Sequence, residues 1–346
     1  MFMNLDYPLR NVAGNRGILF VRIWLTVFAA INIAGCAESE SGVVTLKVAH
    51  NGNEQHPFQV GYEAFGDVLQ RATGGRYSIE IFPNSQLGSE EEATEMVKLG
   101  VISSTAASAA SLGPFIPEID VLNFPFIFRD LDHFYAVLDG PVGRRIGQKI
   151  EDDLDILVLG WWFAGVRNVW NEQRPVYVPD DLQGLKIRVI GSSIVLDAFD
   201  TLGAQATTMS FGELYSATQQ GVLDGGESDH TDLLVEKFYE VTKYVSLTEH
   251  LYLAVPLTYS KKKFDRLPLD VQEALRSAAA ASVRIQRAAM EANNEQSLLV
   301  LKELGLEFNE VDGAMFRQKI ATGQVYERNA EHVGGVEMID EVINHR

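Results

Sequence analysis

The stretch "LQGLKIRVIGSS", residues Leu182 to Ser193, decides how the chain is read. Leu185, Ile187, Val189 and Ile190 describe a short buried strand bounded by Gly184 and Gly191. Arg188 stands in the middle of it. A guanidinium buried without a partner is costly. The strand therefore needs an acid from elsewhere in the chain, or a charge supplied from outside it. A second arginine, Arg167 in "AGVRNVW", sits at the edge of another apolar segment. Two arginines on neighbouring strand ends would make a forked seat for a carboxylate, and strand ends of open α/β sheets are where ligands bind. On spacing alone the bland alternative stands beside it, that each arginine pairs with an acid of the same chain.

Outward from this strand the chain alternates strands and helices. "VRNVWN" and "VLDGGES" read as its companion strands, "SSIVLDAFDTLG" and "SFGELYSATQQG" as helices, with Ser210 and Glu213 as a capping box. Upstream, "VVTLKVAH" and "YSIEIF" are strands around the helical spacing of Tyr62, Phe65, Val68 and Leu69. Ser89 and Glu92 cap a helix that Gly100 ends. This order predicts a mostly parallel sheet with helices on its faces. "LGPFIPEIDVLNFPFIFRD" reads as packed irregular chain, "FYAVLDGPVGRRIGQKIED" as helix and "DILVLGWWFAG" as buried strand. From Pro268 to Gly305 no residue breaks a helix outright, although Asn293 and Asn294 are candidates for a bend. At 1.5 Å per residue it reaches about 55 Å, more than one small domain.

A chain of 346 residues points to two domains. With 29 basic and 47 acidic residues the net charge is −18, and no basic patch offsets it, which excludes nucleic acid as a partner. The start differs. Arg10, Arg16 and Arg22 precede the apolar run "IWLTVFAAINIAG", too short for a membrane span, and then comes Cys36. Residues 1–36 read as an export signal. "IAGC" resembles the bacterial lipoprotein signal, whose cysteine is lipidated and tethers the protein to a membrane; ordinary cleavage nearby is the plainer alternative. Residues 37–42, "AESESG", read as a flexible stem. Cys36 is the only cysteine, so the mature body has no disulfide or thiol chemistry, and 26 basic against 46 acidic residues give it a net charge of −20.

Catalytic signatures are missing: no G-x-S-x-G elbow, H-E-x-x-H or P-loop occurs. The seven histidines are scattered, and His50 and His56 are not spaced as metal ligands. "ESDH", Glu227 to His230, offers metal oxygens or a proton acceptor, but such a cluster is more often a polar strand end or helix cap. No cofactor is implied. An exported acidic α/β protein of this kind fits a binding protein better than an enzyme.

The segments "GLKIRV", "LGAQATTMSFGELYSATQQGVLDGGES" and "KFYEVTKYVSLTEH" resemble the substrate-binding proteins of TRAP transporters, the tripartite ATP-independent periplasmic systems; "FPNSQLGSEEEATEMVKLG" and "LNFPFIFRD" resemble the same family. The likeness runs from about Leu46 to Gly305. It implies a two-lobed type II periplasmic-binding-protein-like α/β fold, with a long helix spanning both lobes. Lobe I would comprise 43–164 and about 254–293, lobe II 165–253 and about 294–346. The resemblance further implies a small organic anion in the cleft, its carboxylate on Arg188 with Arg167 also in reach, Phe211 packed on it, and His50, Asn51 and Ser108 lining the other lobe. TRAP membrane subunits would be the partner, and the location periplasmic. Where the family often has asparagine after "DGxE", this chain has Ser228, then Asp229 and His230. An acid there disfavours a second ligand carboxylate, so a uronate or aldonate is expected over a C4-dicarboxylate, with Glu227, Ser228 and Asp229 among the site residues. A C4-dicarboxylate or 2-oxo acid binder is the alternative. Other rivals are a receptor for an ABC importer, a sugar-acid lyase or hydrolase, and a binder that uses a cation held by Glu227 and Asp229.

Overall fold

The computed structural model describes residues 42–345. The export signal, Cys36 and all but the last residue of the stem lie outside the described residues. From Val43 the chain forms one compact unit. Its N-terminal strands are β1 (Val44–His50), β2 (Tyr77–Phe82) and β3 (Ser104–Ala106). The long β4 (Ile156–Asn171) follows, then β5 (Lys186–Val189), β6 (Gln205–Thr208) and β7 (Gly225–Ser228). Another long strand, β8 (Tyr244–Ser260), and the short β9 (Glu307–Glu310) complete the set. The sheet order is β2-β1-β3-β8-β4-β7-β5-β6, with β9 on β8. Pairs within each flank are parallel, as the alternating pattern predicts, whereas the central β4 and β8 run antiparallel. The sheet is therefore two parallel wings, β1–β3 and β5–β7, joined by one long antiparallel pair.

That pair is where the structure departs most from local pattern. "DILVLGWWFAG" and "VRNVWN" are one strand, because the chain passes its glycine through bulges instead of a turn. The β4–β8 register shifts between Val158 and Trp161, Phe163 and Val166, and Arg167 and Val169. Gly165 sits in this stretch at φ +79°, and a Cβ there would stand 2.3 Å from the Asp229 side chain. On β8, Pro256 pairs with Trp161 next to a shift, where its missing N–H is tolerated.

The helices used below are α1 (Pro57–Ala72), α2 (Glu90–Leu99), α3 (Leu131–Asp139), α4 (Pro141–Leu154), α5 (Ser193–Leu202), α6 (His230–Val235), α7 (Leu269–Glu303) and α8 (Val336–Ile343). The Ser89 capping box forms, with Ser89 Oγ accepting from Glu92 N–H and Glu92 Oε2 from Ser89 N–H, and Gly100 closes α2 at φ +76°. Ser210 Oγ donates to the Glu213 carboxylate and Glu213 N–H to the Ser210 carbonyl, so the reciprocal capping box does not form, and a 3-10 turn, Phe211–Glu213, takes the place of the expected helix start. The helical stretch after Phe134 divides at Pro141, which has no N–H for α3 and opens α4 instead. In the Phe- and Pro-rich segment a 3-10 helix, Pro117–Asn123, forms where irregular chain is expected, and Ile116, Ile119, Leu122, Phe124 and Phe128 are all buried as core.

Helix α7 runs 35 residues, about 52 Å. It packs on α1, β4 and α6. Gln286, fully buried, donates to the Phe163 carbonyl at 2.7 Å and accepts from its N–H at 3.0 Å, serving backbone beside a bulge. Asn293 donates back to Ala289, while Asn294 accepts from His230 N–H and so meets the start of α6. Among the described residues no helix is long and apolar enough to cross a membrane.

Candidate functional site

A cavity of about 750 Å³ lies between the two wings. Strand β5 brings Arg188 to its wall, paired through Thr207 of β6 and Gly226 of β7. Arg188 is 4% exposed, and its Nε and Nη2 donate to the Met209 carbonyl at 2.9 and 2.7 Å. Its Nη1 is buried with no partner. Among the described residues no carboxylate forms an ion pair with it, and burial brings its pKa down to about 10, so it stays charged at neutral pH. An unpartnered N–H of a buried cation is the costly arrangement that a ligand anion would relieve.

Arg167 is arranged differently. It lines the same cavity, but its Nε donates to Glu227 Oε2 and its Nη2 to the Glu227 carbonyl. Its Nη1 lies 3.8 Å from Asp232 Oδ2. Burial alone would push the Glu227 carboxyl up; Arg167 overrides this and holds it at about 2. Glu227 Oε1 also accepts from Ile190 N–H at 2.9 Å, and His250 Nε2 stands 3.7 Å from Oε2. Glu227 is thus fully buried behind the arginines. Of the two arginines, one has found an acid of its own chain and one has not.

Phe211, Asn51 and Ser108 line the cavity, as the resemblance implies. His50, Glu227, Ser228 and Asp229 are not among its lining residues. His50 shares a recess of about 10 Å³ beside it with Asn51 and bonds Gln59 at 3.1 Å. Ser228 Oγ accepts from Trp170 Nε1 at 3.0 Å, so its short side chain is committed away from the cavity. Asp229 caps α6, its Oδ1 accepting from Thr231 and Asp232 N–H. Ser228 therefore supplies no direct contact on which ligand preference could rest. Among the described residues no group of three or more His, Cys, Asp or Glu is placed to hold a metal ion.

Glu90 is a lining residue that the sequence did not single out. It accepts from Asn51 Nδ2 at 2.8 Å, from Ser108 N–H at 3.2 Å and from Ser108 Oγ at 2.6 Å. Burial pushes its carboxyl pKa up against those hydrogen bonds. Its neighbour Glu91 also faces the cavity, as do Ser85, Ser89 and Ser111. The signal for Glu90 lay in the capping box itself, since the two acids between Ser89 and Glu92 begin the helix whose first turn meets the cleft. Asp232 was missed too. It lines the cavity two residues beyond "ESDH", with Oδ1 3.4 Å from His56 Nε2. One wall thus offers a cation, and the facing wall offers hydroxyls, an amide and carboxyl oxygens.

Comparison with known proteins gives the same picture. The model of the family described as bacterial extracellular solute-binding protein, family 7, matches residues 48–331. A TRAP periplasmic solute-binding protein from a Polaromonas species, solved with D-erythronate, is 32% identical with a TM-score of 0.84, covering 88% of this chain and 99% of that one. Its counterpart from a Sulfitobacter species, solved with β-D-galacturonate, is 30% identical with a TM-score of 0.82, covering 87% and 98%. The C4-dicarboxylate-binding periplasmic protein of Rhodobacter capsulatus is 29% identical over 310 residues, 88% of this chain and 92% of that protein. The two wings are the lobes of a two-lobed type II fold, crossed by the long helix. By the family model it matches and by its architecture, the chain belongs to the bacterial extracellular solute-binding proteins of family 7, the receptors of TRAP transporters.

Proposed function

We propose that this receptor captures a sugar acid, a uronate or an aldonate, and delivers it to TRAP membrane subunits. The observation that carries the reading is Arg188 Nη1, a buried guanidinium donor without a partner on the cavity wall. Its fork is already fixed by the Met209 carbonyl, so the remaining donor is preorganised for one carboxylate. Hydroxyls of the same ligand have Glu90, Asn51 and Ser108 within the cavity, and Phe211 offers an apolar face. The Polaromonas and Sulfitobacter relatives, solved with a sugar acid each, support the class. Closure would turn the lobes about β4 and β8.

The test is a titration of the purified protein with uronates, aldonates, C4-dicarboxylates and 2-oxo acids, each assayed for turnover as well. Saturation at 100 times the dissociation constant stabilises the folded state by about 2.7 kcal/mol, visible as a thermal shift. Arg188→Ala should lose binding by at least about 30-fold, since truncating one side of a buried charge pair costs about 2–5 kcal/mol. Arg188→Lys should also weaken it, because an ammonium cannot both hold Met209 and keep a fixed free donor. Binding by the alanine variant within a few-fold of wild type would refute the carboxylate seat, and turnover of a bound acid would point to an enzyme. For the location, we propose a periplasmic protein tethered through Cys36. Mass spectrometry of the mature N-terminus decides between a diacylated cysteine and simple cleavage.

A further inference from the structure

The cavity has two arginines, and the acids of the chain face only one of them. Arg167 gives Nε and Nη2 to Glu227, and its Nη1 faces Asp232 at 3.8 Å. Asp232 is 6% exposed, lines the cavity, and has its other oxygen 3.4 Å from His56 Nε2. His56 Nδ1 accepts from Phe58 N–H, which puts the ring proton on Nε2, towards Asp232, in a neutral imidazole. Burial keeps that ring neutral at working pH, with its pKa down at about 4. Arg167 and Arg188 are the only arginines or lysines among the lining residues, whereas Glu90, Glu91, Glu213 and Asp232 are all there.

We propose that Asp232 is a specificity-determining residue: its carboxylate occupies the place beside Arg167 that a second ligand carboxylate would need, so the receptor selects sugar monoacids over the matching diacids. This rests on the sugar-acid reading and sharpens it. With Arg188 taken by the first carboxylate, a second one finds the other cation, Arg167, already faced by Glu227 and Asp232, and meets acidic side chains, a like-charge placement that is strongly unfavourable out of water. The hydroxyl that a monoacid carries at its far end has acceptors there.

The test compares acids that differ only in replacing a terminal CH₂OH by a carboxylate: D-erythronate with meso-tartrate, D-galactonate with galactarate, and D-gluconate with D-glucarate, with D-galacturonate alongside. Titration of the purified wild-type protein should show the diacid of the bound pair at least about 100-fold weaker. Asp232→Asn, of the same shape but neutral, should narrow that ratio at least about tenfold, chiefly by tightening the diacid. Asp232→Glu, which keeps the charge, should keep the discrimination. Cooperative thermal unfolding of each variant establishes that it is folded. A wild type that binds monoacid and diacid alike, or a ratio that Asp232→Asn leaves unchanged, would overturn this inference while leaving the receptor reading in place. Failure of every sugar monoacid to bind would overturn the sugar-acid reading, and this inference with it.

Discussion

Arg167 and Arg188 look alike in sequence, each a cation in an apolar strand segment. The fold separates them by what stands opposite. Glu227 on β7 lies beside Arg167 of the neighbouring β4, while Arg188 on β5 meets a backbone carbonyl and keeps one donor free. The arginines were legible because charge in an apolar strand is conspicuous. Which of them is spoken for was not, since Glu227 is sixty residues from Arg167 and pairs with it only through the sheet. The place of Ser228 and Asp229 after "DGGE" points to site residues; in the fold Ser228 accepts from Trp170 and Asp229 caps α6 with one oxygen, its other oxygen being buried without a partner. Asp229 carries its own prediction. Burial drives its carboxyl up to about 8, with Asp232 adding to this and Arg167 opposing it; burial likewise takes Glu236 to about 7. In the unfolded chain both ionise near pH 4. A folded pKa above the unfolded one means stabilisation complete below about pH 4 and lost as pH rises through 7 and 8. Between pH 7 and 8.5, above the ordinary histidine range, the denaturation midpoint should therefore fall. Asp229→Asn, which keeps the capping oxygen, should flatten that slope; an unaltered slope would remove Asp229 as its source.

Among the elements, those with one clean period were readable. The β1 strand ending at His50, the Ser89 box with its Gly100 stop, and the long helix from Pro268 to Gly305 appear close to where the pattern puts them. The central pair was not. β8 mixes polar and apolar residues and contains a proline, and β4 is buried on both faces across a glycine that would end an isolated strand. Bulges resolve both conflicts, and they need support from outside the sheet. Gln286 provides it by bonding both backbone groups of Phe163. Gln286→Leu, which removes the amide and leaves both groups buried, should lower unfolding stability by about 2 kcal/mol or more. Chemical denaturation measures this, and a loss under about 0.5 kcal/mol would show that the bulge holds without the helix.

At the scale of the molecule, the cleft exists because the wings are joined along one line. β4 and β8 pass between them, α7 crosses them, and the chain end touches both. Arg328 donates to Asp197 of α5 on one side at 2.6 Å; on the other, Arg129 donates to the Ile343 carbonyl of α8 at 2.8 Å and His133 of α3 meets the Val342 carbonyl at 2.9 Å. These contacts, more than a hundred residues apart in sequence, leave no local trace, which is why boundaries between lobes were the least legible feature. The site's character survives this, because it depends on one unpartnered cation facing a wall of oxygen acceptors. A crystal structure of the protein with the tightest-binding sugar acid tests that most directly. A ligand carboxylate oxygen about 3 Å from Arg188 Nη1, with the Arg167–Glu227 pair intact, is the predicted result. A carboxylate seated on Arg167 with Glu227 displaced, or a ligand that leaves Arg188 Nη1 without a partner, would contradict it.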